Sequence, residues 1–307
     1  MGKNAGKLYY PWKESIMSIL PIVDEFIVAL GDNDIDDNSR ELIESIQSDK
    51  IRIIDTVWDL QKFPKGMENA HQTDIAKSHC TGDWLFYLQA DEVVHEKYLE
   101  AIEKRCRQLL HDEDVEGLLF DYKHFWGNYH HYHKSRVWYP HEIRIIRNHK
   151  DIHSWESAQS FRRIPDFDGK NYRQIKNTFR LKVAKVNACI YHYGWVRPPD
   201  IMMKKQKSLD TIHKGAEKVA ELEKQGKYIF DYGDLNKLEI FKETHPKVML
   251  PFIEKFNWSD TLQFPAKKER KKHKHEKLKQ RALSFFEKTF LGGYRIGGFK
   301  NYILLKK

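Results

Sequence analysis

The sequence predicts an α/β domain built on a parallel sheet, followed from about residue 198 by a mostly helical extension. Three observations predict it. Short apolar runs at Glu25 to Gly31, Ile51 to Ile54 and Trp84 to Leu88 alternate with segments of helical apolar spacing, the pattern of strands joined by crossover helices. Trp84-Leu85-Phe86-Tyr87-Leu88 has no charged or amide residue, as expected of a strand buried on both faces. Pro198-Pro199 then breaks the alternation, and the remainder reads as mainly helical.

Composition and charge set the outer bounds. With 40% hydrophobic and 32% charged residues among 307, the chain can bury a sizeable core, which excludes disorder throughout. Its net charge of +9 is unevenly placed: residues 266–307 carry 14 Lys and Arg against 3 Glu, leaving a near-neutral body. The basicity belongs to the tail, so no nucleic acid partner is expected for the body. Cys80, Cys106 and Cys189 are too few and scattered for a disulfide framework or a thiolate metal site. No apolar run approaches the roughly 18 residues of a membrane span, and the start lacks a signal-peptide stretch, so a cytoplasmic location is expected.

Along the chain, Trp12, Ile16, Ile19 and Leu20 recur at helical spacing behind Pro11. After the strand at Glu25 to Gly31, a polar loop, Asp32 to Ser39, leads into a helix bearing Leu42, Ile43 and Ile46. Residues 66–80 and 95–110 read as helices on either side of Trp84 to Leu88, and Val115 to Tyr122 as a further strand. Residues 120–139 then hold eight aromatics with four interleaved histidines. Strand-like pieces at 143–147, 181–186 and 188–193 make the second half partly antiparallel, and 267–281 is a Lys/Arg/His run.

The segment Gln89-Ala90-Asp91-Glu92 ends the apolar strand in carboxylates, at the sheet edge where open α/β sheets bind ligands. Asp91 and Glu92 offer hard oxygen donors suited to Mg²⁺ or Mn²⁺ and hence to a diphosphate; capping of the next helix is the competing reading. The acidic loop brings Asp32 and Asp34 to the same edge. It is no calcium loop, lacking Gly at the sixth position and Glu at the twelfth, where Ile43 stands. In the aromatic segment, Trp126 and Trp138 offer flat faces for an acceptor sugar, unless the segment is simply a packed satellite core.

In order and spacing these segments resemble the family 2 glycosyltransferases. Lys7 to Pro11 with Ser15-Ile16 resemble the family's first helix, Asp24 to Asp32 its strand and acidic loop, and Ile51 to Trp58 its next strand. Gln89 to Glu92 resembles its metal-binding D-x-D signature. Val115 to Phe125, Ser135-Arg136, Arg144 to Asn148 and Tyr191-His192-Tyr193-Gly194-Trp195 follow as its later segments. The resemblance covers about residues 3 to 200 and implies a GT-A (Rossmann-like) nucleotide-sugar-binding domain over 1–197, with 198–307 as the helical extension.

The implied activity is transfer of a sugar from a nucleotide diphosphate sugar to a hydroxyl of a glycan or lipid-linked acceptor. It proceeds with inversion and a divalent Mn or Mg ion, in surface polysaccharide or glycoconjugate synthesis. Asp91 and His192 would hold the metal, Asp32, Asp34, Gln89 and Arg144 the nucleotide sugar, and Glu156 would be the base. Three departures stand out: Gln89 opens the signature in place of Asp, Ser157 stands where the base Asp is expected, and the sheet is expected to lack its first strand. A catalytically silent relative that binds a nucleotide or glycan is the first alternative, and a nucleic-acid-binding protein acting through the basic tail is the second. The basic tail, followed by Phe285, Phe286 and Phe290, suits peripheral contact with an anionic membrane.

Overall fold

The computed structural model describes residues 1–226, 230–262, 272–292, 295–298 and 300–307. Helix α1 (Trp12–Ile19) buries Trp12, Ile16 and Ile19 at the predicted spacing, directly behind Pro11. Strand β1 (Phe26–Leu30) pairs in parallel with β2 (Ile51–Asp55), with α2 (Ser39–Glu44) between them. Helix α3 (Met67–Ser78) leads to β3 (Trp84–Phe86), a tight turn to β4 (Glu92–Val94), and α4 (Leu99–Gln108).

The second half builds the main sheet from β5 (Gly117–Trp126), β6 (Asn128–His133), β7 (His141–Arg147), β8 (Ile152–Trp155), β9 (Ser160–Arg163) and the 17-residue β10 (Phe179–Trp195). Strand β5 is central: β10 lies parallel along one edge, and on the other β7 and then β6 pair antiparallel. Register shifts between Lys185 and Cys189 bend β10, so that it also takes β4 and β9 antiparallel and curls the sheet. The predicted pieces 181–186 and 188–193 are thus one strand.

The extension packs into this body. Helices α5 (Pro199–Lys214), α6 (Ala216–Lys224), α7 (Leu250–Glu254) and α8 (Leu278–Phe290) alternate with two added strands. Strand β11 (Glu239–Ile240) extends the β6 edge, and β12 (Tyr302–Leu304) pairs in parallel with β10. One buried cluster joins Phe125, Trp126 and Tyr193 of the body to Met202, Tyr232 and Trp258 of the extension. A second packs α4 against β5 and β10 through Ile102, Leu118, Phe120 and Ile190.

Two expectations are corrected. The sheet is mixed rather than parallel: β1 and β2 form a separate parallel pair, and β3 joins β7 antiparallel. The strand expected across Trp84 to Leu88 stops at Phe86, and all three of its residues are half-buried rather than buried on both faces. The reason is local, since β3 has a partner on one edge only and its other edge faces a cleft toward β1.

Behind β3 a buried ion pair locks the turn. Arg144 donates from Nε to Glu92 Oε2 at 2.8 Å and from Nη2 to Glu92 Oε1 at 2.7 Å, with the residues 1% and 0% exposed. Tyr122 Oη donates to Glu92 Oε1 at 2.8 Å. Removing one partner strands the other charge, so Arg144→Met is expected to destabilise the fold by about 3–5 kcal/mol, while Glu92→Leu combined with Arg144→Met recovers most of that loss. Urea melts of the two variants and the unsubstituted chain check this.

Candidate functional site

Strand β3 delivers Gln89 to Asp91 to its carboxyl end, and β4 runs antiparallel to β10 with Glu92 opposite His192. Tyr193 N–H donates to Asp91 O at 2.8 Å, which fixes Asp91 beside the Tyr191 to Trp195 segment. The neighbouring carboxylates then take different partners. Glu92 is wholly engaged by Arg144 and Tyr122. Asp91, 6% exposed, receives the Lys205 ammonium of α5 at 3.1 Å, and Lys205 donates also to Gly194 O at 2.6 Å.

The electrostatics follow from this packing. Burial acts to raise the Asp91 pKa, but Lys205, His192 and Arg197 together hold it well below the usual carboxylate range. Burial, reinforced by Arg197, pushes Lys205 down to about 7. Arg197 is fully buried and stacks on Tyr10 at 4.5 Å, and its three guanidinium nitrogens have no hydrogen-bond partner. A buried cation with unmet donors beside a buried Lys is an anion-accepting arrangement.

A histidine pair orients the other side. His124 Nε2 lies 2.8 Å from Tyr139 O and must donate to it, leaving Nδ1 as an acceptor. His192 Nδ1, 3.1 Å from His124 Nδ1, therefore carries the proton in that contact. His192 Nε2 is left with its lone pair, 3.8 Å from Asp91 Oδ2. Burial favours the neutral form of both rings, although Asp91 pulls His192 partway back.

Gly194 leaves a notch between these acceptors: a Cβ there would stand 2.5 Å from Asp91 Oδ2 and 2.6 Å from His192 Nε2. A carboxylate oxygen and an imidazole lone pair converging on one notch fit a divalent cation. The same Asp91 oxygen is bonded to Lys205, so an ion there would replace the ammonium. No group of three or more His, Cys, Asp or Glu side chains is poised around a metal among the described residues. Ligand oxygens would have to complete the shell.

The remaining expected site residues are dispersed. Gln89 Nε2 donates to Ala158 O at 3.2 Å, so the turn of Glu156 to Gln159 docks on the end of β3. Glu156 itself is half-buried there with φ 57°. Arg144, expected at the nucleotide sugar, is spent on Glu92 and on Gln159 O. Asp32 binds Lys3 at 2.7 Å and accepts from Trp58 N–H, and Asp34 binds Lys7 at 3.0 Å. These two anchor residues 3–7 to the loop after β1, without contact to Asp91. Trp126 is 6% exposed, stacked on Trp195 at 4.9 Å and donating to Tyr232 O, so its ring belongs to the packed aromatic core. Trp138 is half-buried and borders the site, 4.8 Å from His124 and 6.0 Å from His192.

Sequence reasoning missed Lys205, Arg197, His124 and Glu142. The first two lie beyond the recognisable segments, and nothing local marks them. Nothing local marks Glu142 either, because a register shift in the β5–β7 pairing interrupts the alternation His141-Glu142-Ile143-Arg144-Ile145. Burial raises its carboxyl to about 7 against the partial opposition of Arg144.

Unfolded Glu releases its proton near pH 4.5, whereas folded Glu142 keeps it to about 7. The folded state therefore binds the extra proton in that window, and this group's contribution to stability falls as pH rises through it. Glu142→Gln is expected to remove that dependence, gaining stability relative to wild type at pH 8 but not at pH 4.5. Urea melts at the two pH values measure the difference.

No protein-family model matches the chain, and no curated protein matches it. Among solved structures it is similar to S. aureus TarS, a glycosyltransferase, at 12% identity and a TM-score of 0.36, over 74% of this chain and 42% of that one. The chain thus spans less than half of that protein's length. The architecture itself is mixed α/β with a curled central sheet.

Proposed function

We propose that this chain is a glycosyltransferase whose donor diphosphate lies against Arg197, Lys205 and the Asp91–His192 notch. One observation carries the reading: a buried guanidinium without acceptors and a buried ammonium both act on the Asp91 carboxylate, which stands directly before β4. The resemblance of residues 3 to 200 to the family 2 glycosyltransferases supports it independently.

In this reading the acceptor hydroxyl oxygen attacks the anomeric carbon as the bond to the diphosphate oxygen breaks. The leaving diphosphate gains negative charge. Arg197 donates its unmet N–H groups to it, and the Lys205 ammonium turns from Asp91 toward it as α5 yields. A Mn or Mg ion, when bound, would be held by Asp91 and His192 and supply positive charge at the phosphate oxygens. His124 keeps the His192 lone pair aimed at the notch. The acceptor proton passes to a carboxylate: Glu156, which the resemblance marks, or Glu142, whose pKa of about 7 suits a base at neutral pH. Trp138 lines the acceptor side.

Inversion, and a place in surface polysaccharide or glycoconjugate synthesis, are part of this proposal. So is contact with an anionic membrane around a lipid-linked acceptor. Exposed Leu278, Phe285 and Phe290 lie on α8 among Lys277, Lys279 and Arg281, although residues 267–271 of the basic run fall outside the described residues. No helix among the described residues is long and apolar enough to cross a membrane. The second reading, a silent binder of nucleotide or glycan, is favoured by one observation: Lys205 closes Asp91.

A panel of nucleoside diphosphates with and without Mn²⁺ tests the donor site by thermal shift. The matching nucleotide at a hundredfold over Kd should stabilise by about 2.7 kcal/mol. Arg197→Gln should weaken it about tenfold or more. If no nucleotide raises the melting temperature, the donor site does not exist. Nucleotide-sugar turnover lost in Asp91→Asn separates the enzyme from the silent binder.

A further inference from the structure

Strands β8, β9 and the start of β10 carry a row of three basic side chains. His153 of β8 stands opposite Arg162 of β9, and Arg162 stands opposite Arg180 of β10. Phe161 and Leu181, next to the two arginines in the chain, point into a buried cluster with Ile152 and Leu119. Side chains alternate across a strand, so Arg162 and Arg180 share the other face. Arg162 is half-buried there and Arg180 exposed.

The charges around this row are unequally answered. His153 is bonded to Asp74 at 2.7 Å, and Arg163, on the opposite face of β9, is paired with Glu116. Arg162 and Arg180 form no ion pair among the described residues. Arg162 lies over the Trp155 ring at 4.5 Å, with its buried Nε lacking a hydrogen-bond partner, and Arg180 Nη1 reaches Lys300 O at a long 3.4 Å. Glu156 and Glu142 act on Arg162 through space, whereas burial and the Arg180 charge disfavour its charged form. Like charges directly opposite on neighbouring strands are destabilising, and an oxyanion between them removes the repulsion.

The row adjoins the proposed transferase site. Strand β9 begins directly after the turn of Glu156 to Gln159, whose Ala158 carbonyl accepts from Gln89 Nε2 at 3.2 Å. Arg162 is four residues beyond Ala158, about 13 Å along an extended strand. We infer that Arg162 and Arg180 form an oxyanion subsite that binds a phosphate or carboxylate group carried by the acceptor glycan. The fork of each guanidinium matches two oxygens of such a group, and the Trp155 ring holds the Arg162 plane in place. An uncharged glycan leaves the repulsion standing. Naming this the acceptor side rests on the glycosyltransferase reading; the binding of an anionic sugar does not.

Isothermal titration of the 307-residue chain at low salt tests the subsite with four probes: maltotriose phosphate, trigalacturonate, uncharged maltotriose and oligothymidylate. A charged oligosaccharide should bind about tenfold tighter than maltotriose or better, and the one that does so identifies the group as phosphate or carboxylate. Arg162→Gln and Arg180→Glu should each weaken that binding about tenfold or more. Arg180→Glu sets opposite charges across the strands, so it should melt at or above the unsubstituted chain, which separates lost binding from lost folding. Equal affinity for the three oligosaccharides, or charged-sugar binding unchanged by both substitutions, overturns the inference even where nucleotides bind. So does tighter binding of oligothymidylate through the same arginines, which would make the pair a nucleic-acid contact. Arginine-dependent binding of a charged oligosaccharide without any nucleotide binding supports the subsite and removes only the transferase reading.

Discussion

Adjacent carboxylates cannot both be buried ionised unless each finds its own cation, and Asp91 and Glu92 impose that requirement on the whole chain. Glu92 is answered by Arg144 from β7, two bonds deep in the core. Asp91 is answered by Lys205 from α5, in the extension. One dipeptide therefore ties β3, the centre of the main sheet and the C-terminal helices to a single point. The aromatic cluster shared by body and extension closes around that arrangement, with Trp126 and Tyr232 joined by a hydrogen bond.

The two pairs differ in what they leave available. The Glu92–Arg144 pair is bidentate, capped by Tyr122 and complete, so its role is to hold the turn. The Asp91–Lys205 contact is a single bond beside an unsatisfied guanidinium and an imidazole lone pair. Positive charge thus exceeds what the local acceptors absorb, and an anionic group would relieve the imbalance. A diphosphate has that chemistry. The histidine pair adds direction, because the Tyr139 carbonyl dictates the tautomer of His124 and through it that of His192.

Much of the first half was legible in the sequence because its signals are local. Apolar spacing places α1, β1, β2 and α3 within a few residues of their observed bounds. Asp91 and His192 follow from segments that resemble a known family, and the structure brings them within 3.8 Å. Pairing was not legible, since Trp84-Leu85-Phe86 reads alike whether its neighbour is parallel or antiparallel. Arg144 was assigned to the nucleotide sugar, and its pairing with Glu92 was not legible, because its partner lies 52 positions away in the sequence. Lys205 and Arg197 carry no local pattern, and only tertiary packing shows that their charges are buried. Trp126 illustrates the converse: a ring well suited to a sugar is covered by Trp195.

The central claim is that an anionic diphosphate enters at Asp91 and draws Lys205 away from it. Hydrogen–deuterium exchange with and without a saturating nucleoside diphosphate tests this most directly. The account predicts altered exchange confined to three stretches: residues 89–94, the Tyr191 to Arg197 segment, and the turns of α5 around Lys205. Nucleotide binding with no change in these stretches, or with protection only elsewhere on the chain, would contradict it.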